Sequence, residues 1–220
     1  MMLAGDLLEE IRADLASVEE AIRSARFVAA LADGAVPEEG LRAIAGEQRR
    51  VVASDRRSFA LLASRFASSP AHEWCVSMQQ GESDALVLLD GYAGWLALDE
   101  GWFESYEPDP RAQAYPAFVA WLAVNGSVGA VAVAFLANLA AWGENCATVA
   151  GALRDAYGAS DAAVAYFEFF AAAPPGFQKD TLAVAQAGLD AGDDPREIRR
   201  AARLLQAYEL QFWDALAQHA

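Results

Sequence analysis

The chain has 220 residues, of which 55% are hydrophobic and 21% are charged, as in a soluble globular protein with a substantial core. Its formal net charge is −15 and only 16 residues are Lys or Arg. A nucleic-acid-binding function, which requires clustered basic side chains, is therefore disfavoured.

Apolar residues recur every three or four positions through the first hundred residues, a period that predicts helices rather than strands. Three helices are expected there: residues 6–31, 38–66 and 70–98. Their boundaries carry helix stop and start signals, because Gly34 follows the first helix and Pro70 lies at the start of the third.

The second half of the chain begins with its longest predicted break, residues 99–109, which is acidic and aromatic. Five further helices are expected: one that follows the break and ends at Asn125, residues 127–157, a short aromatic helix that ends at Phe170, and residues 178–189 and 194–218. Ser127 and Asp194 are residues of the type that caps a helix N-terminus, and each stands at such a start.

Short connections and uniform composition predict one domain over residues 1–220, an all-α bundle of about eight helices packed near-parallel and antiparallel. The most apolar stretch, residues 128–142, is rich in alanine, contains Asn138 and is too short to span a bilayer. It predicts a buried helix, and we expect no association with a membrane.

The two cysteines, Cys75 and Cys146, lie far apart in unrelated apolar contexts. Such cysteines are typical of buried thiols in a reducing compartment. The N-terminus also lacks the basic and apolar regions of a signal peptide. We therefore expect a cytoplasmic protein.

The predicted closing helix carries a carboxylate on its apolar face. Glu209 falls four residues after Leu205 and three before Phe212, and Tyr208 and Trp213 flank that face. Burying a carboxylate is costly unless it is paired, hydrogen-bonded or protonated. Glu209 is therefore either an acid/base residue in an aromatic pocket or a structural carboxylate held by an arginine or by backbone amides.

Three further helices carry a polar side chain where the spacing favours an apolar one: Gln48, Asp90 and Asn138. Tyr115, Trp142 and Phe170 add aromatic surface. An aromatic pocket with a few convergent polar groups suits a small flat heterocycle. The alternative is that each polar residue is satisfied separately, with Gln48 and Asp90 on exposed faces and Asn138 bonded to a backbone carbonyl.

The residue content disfavours several kinds of catalytic site. The two histidines, His72 and His219, lie at a helix start and next to the C-terminus. Neither a histidine-containing metal site nor a Ser-His-Asp or Cys-His arrangement is expected from them. The chain has no glycine-rich dinucleotide motif and no P-loop lysine motif. We therefore expect no metal and no cofactor.

Short motifs follow one another along residues 24–216. They are FVAALADGAVP at 27–37, EQ at 47–48, AY at 114–115 followed by NGS at 125–127, WGE at 142–144 and YELQFW at 208–213. In this order, over nearly the whole chain, they resemble the motifs of the TenA/thiaminase II family.

That resemblance implies a haem-oxygenase-like helical bundle without haem, assembled as a homodimer or homotetramer. Members of the family hydrolyse thiamin or its degraded pyrimidine. In them a cysteine attacks the ring, an aspartate binds the ring's amino and nitrogen edge, and a glutamate of the closing helix transfers protons. By position, Glu209 resembles that glutamate and Tyr115 the stacking tyrosine.

Five positions depart from the family pattern. Gln48 stands at the aspartate, Asn138 at the cysteine, Trp142 at the tyrosine near it, Asp90 at a third-helix histidine and Phe170 at a pocket tyrosine. An asparagine amide is not a nucleophile, and Gln48 offers a donor as well as an acceptor, so ring recognition must differ. Cys146 lies two helical turns beyond Asn138, too far to replace the cysteine.

We therefore expect a cysteine-free hydrolase acting on a small amine or amide such as an aminopyrimidine of thiamin salvage, as the resemblance to a cysteine-lacking subset of the family implies. Glu209 is its expected catalytic acid/base. The expected substrate-binding residues are Gln48, Asp90, Tyr115, Asn138, Trp142, Phe170, Tyr208 and Phe212. The alternative is a small-molecule-binding or scaffold protein that kept the fold and lost catalysis. In either case the expected partner is a small heterocycle, not a nucleic acid.

Overall fold

The computed structural model describes residues 2–220, and within that range it contains ten α-helices, one terminal 3₁₀ turn and no strand. The helices are α1 (Ala4–Arg23), α2 (Arg26–Ala32), α3 (Glu38–Arg65), α4 (Ala71–Trp95), α5 (Glu100–Ser105), α6 (Ala114–Asn125), α7 (Val128–Tyr157), α8 (Asp161–Ala171), α9 (Phe177–Asp190) and α10 (Pro195–Leu216), and the 3₁₀ turn is Ala217–His219. The all-α prediction is confirmed, with two short helices more than the eight expected.

The first additional helix arises because the predicted first helix is two helices. α1 ends where the Ser24 N–H bonds to the Glu20 carbonyl, and Ala25 then adopts a ψ of 129° that interrupts the helical hydrogen bonds. The chain resumes as α2 at Arg26, with Phe27 and Leu31 fully buried. Tertiary burial of those two side chains, rather than a Gly or Pro signal, accounts for the break.

The second additional helix, α5, lies within the break predicted after α4. Asp99 caps it by accepting a hydrogen bond of 2.8 Å from the Trp102 N–H. The segment that follows is anchored by the buried carboxylate of Glu47, which accepts from the Tyr106 hydroxyl at 2.8 Å and from the Asp109 N–H at 2.7 Å. Glu47 is thus a structural carboxylate that holds a loop.

Two predicted capping residues take the expected roles, and a glycine ends a third helix terminus. The Ser127 hydroxyl accepts from the Ala130 N–H at 3.3 Å, and the Asp194 carboxylate accepts from the Arg196 N–H at 2.9 Å. Gly158 ends α7 with a φ of 65°, in the left-handed region that glycine enters without a steric cost.

Helix α7 is the central element of the bundle and packs against α1, α2, α8, α9 and α10. Its length and composition would allow it to cross a membrane, but 72% of its most apolar 18-residue window is buried inside the protein. The helix extends beyond the apolar stretch 128–142. Its second half, from Gly143 to Tyr157, mixes polar and apolar residues. It is a core helix, as predicted.

Buried apolar side chains form two clusters. One contains Phe27, Ile44, Leu89, Tyr92, Phe167 and Trp213, and the other contains Leu7, Phe59, Trp74, Phe135 and Leu205. A cavity is lined from both clusters, with Val52 and Phe212 contributed by the first and Phe135 by the second.

Candidate active site

The cavity has a volume of about 330 Å³. Six helices, α3, α4, α6, α7, α8 and α10, supply most of its walls, and residues 172–174 with Phe177 complete them. Ser77, Glu144 and Phe169 are exposed residues among its lining, so the cavity reaches the surface. A mostly apolar, aromatic cavity with few polar groups is typical of a small-molecule site.

Glu209 lies in the wall of this cavity and is only 2% exposed. Its carboxyl accepts hydrogen bonds from the Asn138 amide and, at 3.3 Å, from the Trp213 indole N–H. Both donors are neutral side chains, so neither an arginine nor backbone amides hold this group. Burial raises the pKa of Glu209 to about 8, against the opposing effect of the two hydrogen bonds, so both protonation states are populated near neutral pH.

Asn138 is the centre of a hydrogen-bonded network behind Glu209. Its carbonyl oxygen accepts from the Tyr115 hydroxyl at 3.2 Å, and its NH₂ also donates to Gln206 Oε1 at 3.2 Å. Gln206 in turn donates to the Ala137 carbonyl at 3.3 Å. The network orients the Asn138 amide so that its NH₂ faces the Glu209 carboxyl.

Gln206 was missed by the sequence analysis, although its position carries a signal. It precedes Glu209 by three residues on α10 and so lies one turn away on the same helical face. It is fully buried. A polar residue at that spacing beside a buried carboxylate is a candidate partner for its network.

Gln48 lies at another part of the cavity wall and is buried. The Tyr166 hydroxyl donates to Gln48 Oε1 at 2.7 Å. This bond fixes the orientation of the amide and leaves its NH₂ available to an acceptor of a ligand. Tyr166 was also missed, although it stands one helical turn before Phe170 in the aromatic helix.

Aromatic side chains pack edge-on beside Glu209. The Trp142 ring centroid lies 6.1 Å from that of Phe170 and 5.9 Å from that of Phe212, both at steep interplanar angles. All three rings line the cavity, together with Tyr115. Four of the predicted aromatic residues are thus brought together around one space.

The structure does not bring Asp90 or Tyr208 to this cavity. Asp90 is exposed and pairs with Arg49 at 2.6 Å on the protein surface. Tyr208 packs its ring against Phe118, with the centroids 5.3 Å apart. Each residue is one position away from a buried neighbour, Leu89 or Glu209, and one residue turns a helix by about 100°.

Two carboxyl groups in the cavity wall were missed by the sequence analysis, Asp55 on α3 and Glu82 on α4. Asp55 follows Gln48 by seven residues, two helical turns on the same face, which is the signal that could have found it. Glu82 precedes the buried Ala85 and Leu89 at helical spacing on α4.

Both cysteines are buried free thiols, as the sequence predicts. Burial raises the pKa of Cys75 to about 11 and that of Cys146 well above its ordinary value, so both are protonated at neutral pH. Neither lines the cavity. Across residues 2–220, no cluster of three His, Cys, Asp or Glu side chains is suited to hold a metal ion.

Comparison with known proteins places these observations in a family. The model of the TENA/THI-4/PQQC family matches residues 13–219. No curated protein matches the chain.

Solved structures with the same fold are similar over nearly the whole chain. A TenA homologue from P. horikoshii superposes with a TM-score of 0.76 at 18% identity and covers 100% of both chains. A domain with a haem oxygenase-like fold from Shewanella denitrificans gives 0.75 at 12% identity, covering 96% of this chain and 92% of that one. A candidate TenA-like thiaminase from Sulfolobus solfataricus gives 0.65 at 13% identity, with 96% of each chain covered. At these identities the likeness shows the fold.

Proposed function

This chain belongs to the TENA/THI-4/PQQC family, and we propose that it is a hydrolase that cleaves a C–N bond of a small amine or amide without a cysteine nucleophile. The substrate class we propose is an aminopyrimidine of thiamin salvage. The observation that carries the proposal is Glu209, a buried carboxyl with neutral donors in the wall of an aromatic cavity. The candidate thiaminase among the structural relatives supports the same class of reaction.

Glu209 has the properties of a general acid/base. A pKa near the working pH lets one group both accept and return a proton, and burial raises the pKa of Glu209 to about 8. As a carboxylate, Glu209 takes a proton from a water molecule whose oxygen attacks the carbon that bears the nitrogen. The C–N bond breaks, and Glu209 gives the same proton to the departing nitrogen. One water is consumed and an amine or ammonia is released.

The surrounding residues orient this chemistry. Asn138 and Trp213 hold the Glu209 carboxyl in place, and their hydrogen bonds stabilise its charged form. We assign the Gln48 NH₂ as the donor to a ring nitrogen of the substrate, and the hydrogen bond from the Tyr166 hydroxyl to the amide oxygen supports this role. The Trp142 ring packs against those of Phe170 and Phe212, and together they bound a space suited to a flat ring.

The decisive experiment is Glu209→Gln, which keeps the shape of the side chain and removes its proton transfer. We expect ammonia release from 4-amino-5-aminomethyl-2-methylpyrimidine to fall by roughly 10²- to 10⁴-fold, with an unchanged circular dichroism spectrum. Asp214→Asn is the matched control, since Asp214 is an exposed carboxylate on the same helix. Turnover in Glu209→Gln equal to that of the control would rule out this mechanism.

The other expectations stay predictions. We propose that the protein is cytoplasmic and forms a homodimer or homotetramer, and that its partner is a small heterocyclic substrate rather than a nucleic acid. The net charge of −15 supports the last point, because phosphate backbones attract basic surfaces.

A further inference from the structure

The cavity wall contains two further carboxyl groups that the mechanism above does not use. Asp55 on α3 and Glu82 on α4 line it and are only 3% and 9% exposed. No donor from residues 2–220 reaches Asp55 Oδ1, which is buried. Buried acceptors without a partner are rare in folded proteins, and a carboxyl of this kind in the wall of a ligand-sized cavity is a candidate to bind a donor group of a ligand.

A structural carboxylate in the same protein provides the contrast. Glu47, also buried, accepts from the Tyr106 hydroxyl, the Asp109 N–H and the Gln113 amide. Asp55 has no such set of donors, and none of the ion pairs in the described part of the chain includes Asp55 or Glu82. Glu19 also has a buried oxygen without a donor, Oε1, but its carboxylate pairs with Arg23 at 3.2 Å, whereas Asp55 has no charged partner.

The two carboxyls also interact with each other. Burial is the main cause that raises the pKa of Asp55 well above its ordinary value, and the charge of Glu82 raises it further. Burial likewise raises the pKa of Glu82. Without a ligand the pair therefore retains protons. A cation placed beside the two carboxyls would lower their pKa values and favour their ionised forms, because its positive charge attracts both carboxylates.

We propose that Asp55 and Glu82 form a subsite for a cationic, N–H-rich group of the ligand, an amidinium or a primary ammonium. The inference rests on the proposed function in taking this cavity as the substrate site, and it narrows the substrate class. The substrate carries a cationic nitrogen group that binds apart from the Glu209 network. An amidinium presents parallel N–H donors that carboxylate oxygens accept in pairs, and its aromatic body would pack against the cavity's rings.

Benzamidine and benzamide test the subsite directly, because they have the same size and shape and differ in the charge and donors of one group. Calorimetric titration is expected to show at least tenfold tighter binding of benzamidine to the wild-type protein. The Asp55→Asn and Glu82→Gln variants are each expected to bind benzamidine about tenfold or more weakly than the wild type. Their affinity for benzamide should be unchanged. Binding of benzamidine should also release protons, seen as a buffer-dependent heat, and the double variant should lose this release.

Two controls keep the result specific. Asp84→Asn removes an exposed carboxylate two residues beyond Glu82 on the same helix and should bind benzamidine like the wild type. Glu209→Gln should also retain the benzamidine preference. Equal affinity for the two probes, no measurable binding of benzamidine, or equal loss in the Asp84→Asn control would overturn the subsite.

The outcome is independent of the proposed reaction. If Glu209→Gln keeps full turnover, the hydrolase mechanism fails, while the benzamidine preference and its dependence on Asp55 still decide the subsite. If Asp55→Asn binds benzamidine normally, the subsite fails, while the Glu209 experiment still decides the mechanism. The amide variants replace carboxyls that are protonated in the ligand-free protein with neutral groups of similar size, so they are expected to fold.

Discussion

At the scale of single residues, the donors around a buried carboxyl determine what it can do. Glu47 is fully supplied with donors and serves as a loop anchor. Glu209 has two neutral donors, Asn138 and Trp213, and a pKa near 8 that suits proton transfer. Asp55 has an oxygen with no donor from the described chain and suits binding of a cation. From these surroundings we propose three different roles for three carboxyls of similar burial.

The pH profile of the reaction should respond to Asn138. Its hydrogen bond stabilises the charged form of Glu209 and lowers the carboxyl's pKa. In Asn138→Ala that support is lost, so the pKa rises and the ascending limb of the kcat profile, where Glu209 acts as base, moves to higher pH. Steady-state ammonia release between pH 5 and 9 measures the shift.

The control for this shift is Asn125→Ala, which removes an exposed amide on α6. Its profile should coincide with that of the wild type. An Asn138→Ala profile that falls in amplitude without moving along the pH axis would show that Asn138 does not tune Glu209.

At the scale of elements, close helix packing brings the site's walls together. A Cβ on Gly91 of α4 would lie 2.3 Å from the carbonyl oxygen of Ala162 in α8. The bare glycine lets α4 and α8 approach, and these helices carry Glu82 and Tyr166 to the cavity. Backbone atoms on both sides cannot move aside as a flexible side chain would.

Gly91→Ala is therefore expected to destabilise the protein by about 1–3 kcal/mol through overpacking against α8. Gly94→Ala, less than one turn further along the same helix, is the matched control because a Cβ there meets nothing within 4 Å. That change should be neutral or slightly stabilising, since alanine is the better helix former. Urea unfolding followed by circular dichroism measures both, and equal stability of the two variants would contradict the close-packing argument.

At the scale of the whole molecule, the buried carboxyls and the negative net charge both lower the stability of the fold as pH rises. The formal net charge of −15 opposes compaction as carboxylates ionise. Glu209, Asp55 and Glu82 all have pKa values raised by burial. Groups whose folded pKa exceeds the unfolded value contribute stability that is present below the unfolded pKa and lost as pH rises through the folded one.

The free energy of unfolding should therefore decrease from pH 5 to pH 8. Each buried group that ionises contributes a slope of up to about 1.4 kcal/mol per pH unit. Glu209→Gln and Glu82→Gln should each flatten this slope, because the amide does not titrate. Urea unfolding at pH 5, 6, 7 and 8 measures the slope, with Asp214→Asn as an exposed-carboxylate control that leaves it unchanged. Parallel slopes in all four proteins would show that the buried carboxyls are not protonated in the folded state.

The sequence by itself determined the class of fold, most helix ends and the inward position of Glu209. These features are local: apolar spacing marks the buried face of each helix, and Ser127, Gly158 and Asp194 act on the backbone beside them. The order of motifs likewise predicted the family that the model match shows.

Only the tertiary structure decided which inward-facing groups meet. Helical spacing predicts a buried face but not the helix that covers it, so the approach of Asp55 to Glu82 depends on how α3 packs against α4. The same limit explains Asp90, whose pattern predicted a pocket residue although its side chain reaches Arg49 at the surface. A shift of one residue turns a side chain by about 100°, and packing between helices, which one chain's periodicity does not contain, selects the neighbour it meets.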